Sequence, residues 1–388
     1  MTIQLTLKQQ KAVDICLERY KNGEKYTTIA GVAGAGKSTI VNFVIKALNL
    51  TKEEVRFVAF TGKAAQVLQQ KGLNATTIHK LIYNSYLNKN TGRFSYSKKP
   101  KEEVGGKVWV VDEVSLISKD LLNDLASYGV HMILLGDPFQ LPSPVGKDNG
   151  MLNNPHIFLD EVMRQALDNP IVYLSMLVRE GKEIPMMDNE HVKVIKKKDL
   201  TVDMLNWGDQ VICGLNSTRK YLNNIIRESK GFHGLPQVGD KMICLKNDWE
   251  TVNSEDVPII NGLTGTIEKI HSINSMAYGD TPIKHNQSGI IVDFKPDFTS
   301  TFHELNMDPN VVRGMDSVLQ QQINSKYKKI ESIYQEMDYG YVISAWKSQG
   351  SEWNNVVAIV EQVGPTDIRK LAYTIITRAK EKLILVID

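Results

Sequence analysis

Apolar positions along the chain fall into two alternating rhythms, one at the helical period and one of short continuous runs. Leu5, Ala12, Val13, Cys16 and Leu17 share a face of a helix expected from Leu5 to about Tyr20, with Thr6 placed to cap its start. Tyr26 to Ala30 is a β-prone run that enters a glycine-rich loop, after which Ile40, Val41, Phe43, Val44, Ala47 and Leu48 restore helical spacing. Val55 to Phe60, Val108 to Val111, His131 to Leu135 and Val211 to Gly214 are further buried-strand runs, each beside helical or loop sequence. This alternation predicts an α/β fold with a mostly parallel sheet covered by helices.

The rhythm breaks in three places. Leu87 to Lys107 is polar, contains Asn-Lys-Asn-Thr-Gly and two aromatics, and predicts a small protruding β-hairpin. Pro236 to Phe294 carries short strand candidates at Lys241 to Leu245, Gly265 to Ile270 and Gly289 to Phe294, separated by Gly, Asn and Asp, which fits a small all-β barrel. Asn306 to Glu336 turns helical and polar, and then Tyr341 to Ala345 and Leu383 to Ile387 return to buried strands. The β module therefore reads as an insertion into a second α/β lobe.

At 388 residues the chain exceeds one ordinary core, and a hydrophobic fraction of 42% with 23% charged residues is that of a globular enzyme rather than a disordered chain. No apolar run approaches a membrane span and the N-terminus has no leader pattern, so the expectation is a soluble, cytoplasmic protein. Cys16, Cys213 and Cys244 are widely spaced and without C-x-x-C pairing, which speaks for buried thiols rather than disulfides or zinc. A net charge of +2 does not announce a nucleic-acid partner, and the basic clusters at Lys98–Lys101, Lys196–Lys198 and Lys326–Lys329, each taken alone, read as solvated surface before phosphate track.

Chemistry enters with Gly31-Val-Ala-Gly-Ala-Gly36-Lys37-Ser38, which matches the phosphate-loop pattern. Its glycines let backbone N–H groups face phosphate oxygens unobstructed. Gly34, Ala35, Gly36, Lys37, Ser38 and Thr39 are the expected ATP contacts, with Lys37 on the β- and γ-phosphates and Ser38 on Mg²⁺. Val108-Trp-Val-Val-Asp112-Glu113 is a buried strand ending in two acids, which assigns Asp112 to Mg²⁺ and Glu113 to activating the attacking water. Gln140 in Gly-Asp-Pro-Phe-Gln-Leu-Pro, Arg164 and Arg378 are candidates to sense and neutralise the γ-phosphate, although each arginine taken singly reads first as a surface ion pair.

In order, these segments resemble the motif series of superfamily 1 helicases, specifically the RecD/Dda-type branch of superfamily 1B, over nearly the whole chain. Leu5-Thr-Leu-Lys-Gln9-Gln-Lys-Ala12 is similar to the Q motif, whose glutamine reads adenine; Gln9 fits that role better than Gln10. Ala59-Phe-Thr61-Gly62-Lys63-Ala-Ala and Thr76-Thr77-Ile-His79 resemble motifs Ia and Ib, and Trp346-Lys347-Ser348-Gln349-Gly350-Ser351-Glu352 resembles motif V. The resemblance implies DNA contacts at Thr61, Gly62, Lys63, Thr77, His79, Asn216, Trp346, Lys347 and Ser348, and nucleotide contacts at Gly350 and Glu352. Arg164 and Arg378 fall at the arginine positions of motifs IV and VI. The family usually has proline where Phe60 stands and histidine where Trp346 stands, so Trp346 either stacks on a base or packs in the core.

The same resemblance implies a first RecA-like lobe over residues 1–165, interrupted by a duplex-splitting hairpin pin at 87–107, and a second RecA-like lobe over 166–235 and 336–388. An SH3-like β-barrel is expected at 236–300 and a helical excursion at 301–335. Phe94 and Tyr96 are the expected wedge residues, because an aromatic face replaces the stacking lost when a base pair opens; filling a small loop core is the alternative. The implied activity is a monomeric ATP- and Mg²⁺-dependent DNA helicase moving 5′ to 3′ on single-stranded DNA and acting at single-strand/duplex junctions. It would act in replication, repair or recombination beside single-strand-binding proteins, in a bacterial or phage-infected cell. An RNA-directed or protein-displacing translocase and a non-catalytic RecD-like subunit of a larger complex are the competing readings.

Overall fold

The computed structural model describes residues 4–88, 93–143, 149–161, 169–255, 257–273, 290–307 and 335–388. Helix α1 (Leu7–Lys21) begins in a capping box: Thr6 Oγ1 accepts the Gln9 N–H at 3.3 Å, and the Thr6 N–H donates to Gln9 Oε1 at 3.1 Å. Such a cap contributes about 1 kcal/mol. Its Ala12, Val13 and Cys16 are buried against the first sheet.

That sheet is six-stranded and parallel, in the order β3 (Ala75–Thr77), β2 (Val55–Ala59), β6 (Val108–Val111), β7 (His131–Gly136), β1 (Tyr26–Gly31), β8 (Ile157–Leu159). Alternation sends Val108, Val110, Ile133 and Leu135 to a core shared with α1 and α2 (Lys37–Ala47). Trp109, Val111, Met132 and Leu134 face the opposite core, built with α4 (Ile78–Ile82) and α6 (Lys119–Ala126). Trp109 is fully buried and its Nε1 donates to Gly105 O at 3.0 Å, so replacing it with alanine would cost about 3–5 kcal/mol. α3 (Gly62–Gln70) follows β2, and a short helix α5 (Lys101–Val104) precedes β6. Between α4 and α5, β4 (Tyr83–Asn88) and β5 (Arg93–Lys98) form an antiparallel ribbon pairing Tyr83 with Lys98 and Asn88 with Arg93. This ribbon starts before the expected hairpin because α4 runs directly into β4.

A second sheet, also parallel, has the order β18 (Val342–Ser344), β10 (Gln210–Cys213), β19 (Trp353–Ile359), β20 (Ala379–Ile387), β9 (Val192–Lys196). One face packs on α7 (Pro170–Arg179) and α11 (Ile368–Ile376). The other, with α8 (Val202–Trp207) and α9 (Asn216–Ser229), shares a continuous core with the insertion, where Leu222 and Ile226 meet Met242, Phe294 and Phe302.

The insertion is an antiparallel sheet ordered β16 (Phe302–Met307), β15 (Ile290–Pro296), β14 (Thr264–Ile273), β11 (Lys241–Cys244), β17 (Met337–Tyr339). A bridge between Met307 and Gln335 ties its two edges together at that point. Two short strands, β12 (Asp248–Val252) and β13 (Pro258–Ile259), pair beside it. The expected helical stretch Asn306 to Glu336 lies mostly outside the described residues, and its flanks are strand rather than helix. Strands β3, β8, β9, β16, β17 and β19 were not anticipated: most are short, and β9 and β16 interleave apolar with charged positions at the sheet rim.

Candidate functional site: a phosphate loop and an interlobe channel

Parallel register aligns Ala30 with Gly136 and Val111 with Leu134, so the carboxyl ends of β1, β7 and β6 deliver the phosphate loop, Asp137 and Asp112–Glu113 to one edge of the sheet. In the loop, Gly34 and Gly36 adopt φ of 76° and 79°, which side chains rarely tolerate. A Cβ on Gly36 would also lie 2.7 Å from Gln9 Nε2. The N-terminus of α2 faces the loop, and its free N–H groups and dipole favour an anion there. Lys37 Nζ donates to Gly31 O at 2.7 Å and Val32 O at 3.1 Å, while Ser38 is exposed on the first turn of α2. Gln9, expected at adenine, is buried and donates through Nε2 to Ala35 O at 3.1 Å, bracing the loop from behind.

Asp112 and Glu113 leave β6 in a tight turn. The Asp112 N–H donates to Val58 O at 3.0 Å and the Glu113 N–H to Asp112 Oδ1 at 2.9 Å. Glu113 takes a left-handed φ of 52°, a conformation that costs a non-glycine residue about 1–2 kcal/mol. Burial raises both carboxyls above the usual range; Asp112 raises Glu113 further, and Lys37 and Arg378 oppose both shifts. Gln140 is 6% exposed and its Oε1 has no hydrogen-bond partner among the described residues. Arg378 is buried in the second lobe, donating to Thr374 O at 3.0 Å, Ser351 O at 3.3 Å and Thr377 Oγ1 at 3.2 Å. Arg164 lies outside the described residues. Glu352 is exposed and pairs with Lys380 at 3.8 Å, and Gly350 faces α3, where a Cβ would sit 3.1 Å from Ala64 Cβ.

A cavity of about 820 Å³ runs between the lobes. Thr61, Gly62, Lys63, Thr77 and His79 line it from the first lobe, and Asn216, Trp346 and Lys347 from the second. Four helices begin at its wall. Thr61 Oγ1 caps α3 by accepting Ala64 N–H at 3.2 Å, Thr77 Oγ1 caps α4 through Lys80 N–H at 3.2 Å, and Ser344 Oγ caps α10 (Ala345–Ser348) through Lys347 N–H at 3.4 Å. The fourth, α9, begins at Asn216 behind Glu361, a buried carboxylate that accepts Gly214 N–H at 3.0 Å, Leu215 N–H at 2.7 Å and the Thr218 hydroxyl at 2.8 Å. Trp346 is half-buried, packing on the second-lobe core while lining the cavity. Ser348 is fully buried with its hydroxyl bonded to Ala345 O, so it does not reach the cavity wall.

The insertion supplies a third wall through Asn247, Asn261 and Gly262. Lys347 Nζ donates to Asn261 Oδ1 at 2.8 Å. Lys63 is 6% exposed, with its ammonium 4.7 Å from the Trp353 ring centroid and 5.7 Å from that of Phe298, and burial pushes it down to about 8. Toward the β4–β5 ribbon the channel wall becomes aromatic: Phe60 and His79 are 6.5 Å apart, His79 and Tyr83 5.8 Å, and Tyr83 and Tyr96 6.1 Å. Burial lowers the His79 pKa. Tyr96 is half-exposed and leans on the root of the ribbon, while Phe94 pairs with Leu87 further along it.

A family model for an AAA domain matches residues 4–199, and one for a UvrD-like helicase C-terminal domain matches residues 339–386. The chain belongs to the superfamily 1B helicases, the RecD, Pif1 and Dda type. An uncharacterised protein of Acanthamoeba polyphaga mimivirus is 26% identical over 98% of this chain and 99% of its own length. The ATP-dependent RecD2 DNA helicase of Deinococcus radiodurans is 26% identical over 93% of this chain, which spans 46% of that longer protein. The Pif1 helicase from Bacteroides in complex with ADP-AlF3 and single-stranded DNA superposes with a TM-score of 0.56 at 14% identity, covering 99% of this chain and 92% of its own, a likeness of fold. The helicase thus has two RecA-like parallel sheets and is an ATP-hydrolysing enzyme of its family. Sequence reasoning missed Glu361, Ser344 and Asn261. Glu361 carries a readable signal, since an apolar strand ending in an acid, Ile359-Val360-Glu361, repeats the pattern that exposed Asp112.

Proposed function

We propose that this helicase moves 5′ to 3′ along single-stranded DNA held in the interlobe channel and parts the duplex at the β4–β5 ribbon. The observation that carries the reading is the convergence of four helix N-termini, two from each lobe, on one channel. Such termini bind backbone phosphates without regard to sequence, and splitting them between lobes lets lobe motion pass a strand from one grip to the next.

The Ser38 hydroxyl and the Asp112 carboxylate are hard oxygen donors at the mouth of the phosphate loop and fit Mg²⁺. When bound, that ion would add positive charge to the β- and γ-phosphate oxygens. Lys37 exchanges its loop carbonyls for phosphate oxygens, Glu113 orients the attacking water, and Gln140, whose amide oxygen has no partner among the described residues, completes the shell around that water. Arg378 is held by neutral acceptors alone among its bonds, so leaving them for the γ-phosphate breaks no ion pair. Phe94 and Tyr96 form the wedge, and the aromatic run from Phe60 to Tyr96 leads the separated strand into the channel. The helicase acts as a monomer in the cytoplasm of a bacterial or phage-infected cell, beside single-strand-binding and replication or recombination proteins.

Matched duplexes with 5′ or 3′ single-stranded tails, with and without ATP, test the reading. Unwinding is expected of the 5′-tailed duplex alone; unwinding of only the 3′-tailed duplex overturns the polarity. Stimulation of ATP hydrolysis by RNA but not DNA would favour an RNA-directed motor instead.

A further inference from the structure

Tyr373 in α11 belongs to the second lobe, yet its hydroxyl sits in the nucleotide site of the first. The oxygen accepts the Ala33 N–H at 2.9 Å and donates its proton to Asp137 Oδ2 at 2.6 Å. Ala33 precedes the loop residues that face phosphate, and Asp137 ends β7 between the loop and Asp112. One oxygen therefore ties two parts of the ATP site together from across the cleft. Its surroundings permit little slack: Tyr373 is 1% exposed, as is Asp137, whose other oxygen accepts the Phe139 N–H at 3.0 Å. The Phe139 ring meets Tyr373 edge-on at 6.1 Å.

The neighbouring residues extend the same contact. Thr374 Oγ1 accepts the Leu141 N–H at 2.9 Å, and Gln349 Nε2 donates to Leu141 O at 2.8 Å. Thr374 O in turn holds Arg378 Nε at 3.0 Å. A path of hydrogen bonds thus runs from the phosphate loop through Tyr373 and α11 to the arginine.

We infer that Tyr373 is a positioning residue for ATP hydrolysis, whose hydroxyl fixes how closely the second lobe approaches the phosphate loop and so whether Arg378 reaches the γ-phosphate. This rests on the reading of Arg378 as a finger. Because both bonds share one atom, parting the lobes breaks them together and strands a buried carboxylate and a buried amide, so the contact is made or lost as a unit.

Tyr373→Phe keeps the ring and its contact with Phe139 and removes only the hydroxyl. Loss of a hydrogen bond to a buried carboxylate is expected to lower kcat for DNA-stimulated ATP hydrolysis by about tenfold or more, with the Kd for a fluorescent ADP analogue within about twofold of wild type. Added to Tyr373→Phe, Arg378→Ala should lower kcat by less than it does in wild type, because the arginine is already misplaced. An unchanged kcat overturns the inference. So do a parallel loss of ADP affinity, kcat and thermal stability, which marks a purely structural role, and full additivity with Arg378→Ala. If Arg378→Ala alone leaves wild-type kcat unaltered, it is the finger assignment that fails.

Discussion

Gly62 opens α3 at the point where the insertion meets the first lobe, and adding one methyl group there tests whether that contact closes the channel. A Cβ at Gly62 would lie 2.5 Å from both Cδ1 and Cγ2 of Ile260 and 2.6 Å from its Cβ. Ile260 is 4% exposed and belongs to the core shared by insertion and second lobe, so its side chain has nowhere to turn. Carbon atoms settle at about 3.5–4.0 Å, so the insertion must withdraw by about 1 Å. Overpacking of this kind costs about 1–3 kcal/mol, or about 5- to 150-fold in the docking equilibrium. The Lys63 to Thr264 contact at 3.5 Å and the Gln70 to Phe298 O bond at 3.3 Å lie across the same seam and loosen with it. Gly62→Ala should therefore speed release of a labelled oligothymidylate, measured by stopped-flow with a competitor trap, by a factor in that range. ATP hydrolysis without DNA should hold, since the atoms nearest the new methyl are those of Ile260 in the insertion. Ile260→Ala alone opens a cavity at a cost of about 2–5 kcal/mol, but joined with Gly62→Ala it makes room for the new methyl, so the double variant should lose less than the sum. Wild-type release from Gly62→Ala, with strictly additive effects in the double variant, would refute this account of the seam.

Glu113→Gln should cut kcat for ATP hydrolysis by about 10²- to 10⁴-fold while nucleotide still binds, measured by turnover and by titration of a fluorescent analogue; turnover within tenfold of wild type removes Glu113 from water activation. Burial holds Lys63 down at about 8 against an ordinary 10.5, so between those values the unfolded chain binds more protons and stability rises with pH, by on the order of 3 kcal/mol across the window. The difference in urea unfolding free energy between wild type and Lys63→Met should climb from about pH 8 toward 10.5 and then level off, and a flat difference defeats the burial argument. Lys347→Ala should make the dependence of single-strand affinity on salt shallower by about 0.7 in log–log slope, the share of one phosphate contact; an unchanged slope means that Asn261 keeps the ammonium off the strand.

What the sequence made legible follows from how each feature is built. The phosphate loop, the acids after β6 and the Thr6 cap of α1 are short runs of residues whose chemistry and backbone conformation are set locally, and each can be read where it stands. Glycine at 62 and 350 is different in kind. The family resemblance marks both, but what requires glycine is Ile260 in one case and Ala64 in the other, each brought from far along the chain. Lys63 shows the same limit from the charge side: the family resemblance implies a DNA contact, and only the approach of Trp353 and Phe298 makes it a buried, easily deprotonated group. The insertion was legible as alternating strands but not in extent, because β17 rejoins its sheet after a long intervening segment and register between β11 and β17 cannot be read from either strand alone.

These two classes of residue do different work. The locally encoded ones hold ligands, whereas the ones set by approach, Gly62 against Ile260, Lys347 against Asn261 and Tyr373 against Ala33, all lie on seams between lobes or between a lobe and the insertion. A motor converts nucleotide chemistry into movement only through contacts that change when its parts move, and contacts within one lobe do not. Motif resemblance marks Gly62 and Lys347 but not the partners, Ile260 and Asn261, that place them on a seam, and it is on these pairings that coupling should depend. Substitutions at the seams should separate ATP turnover from strand displacement, while substitutions in the phosphate loop should abolish both together.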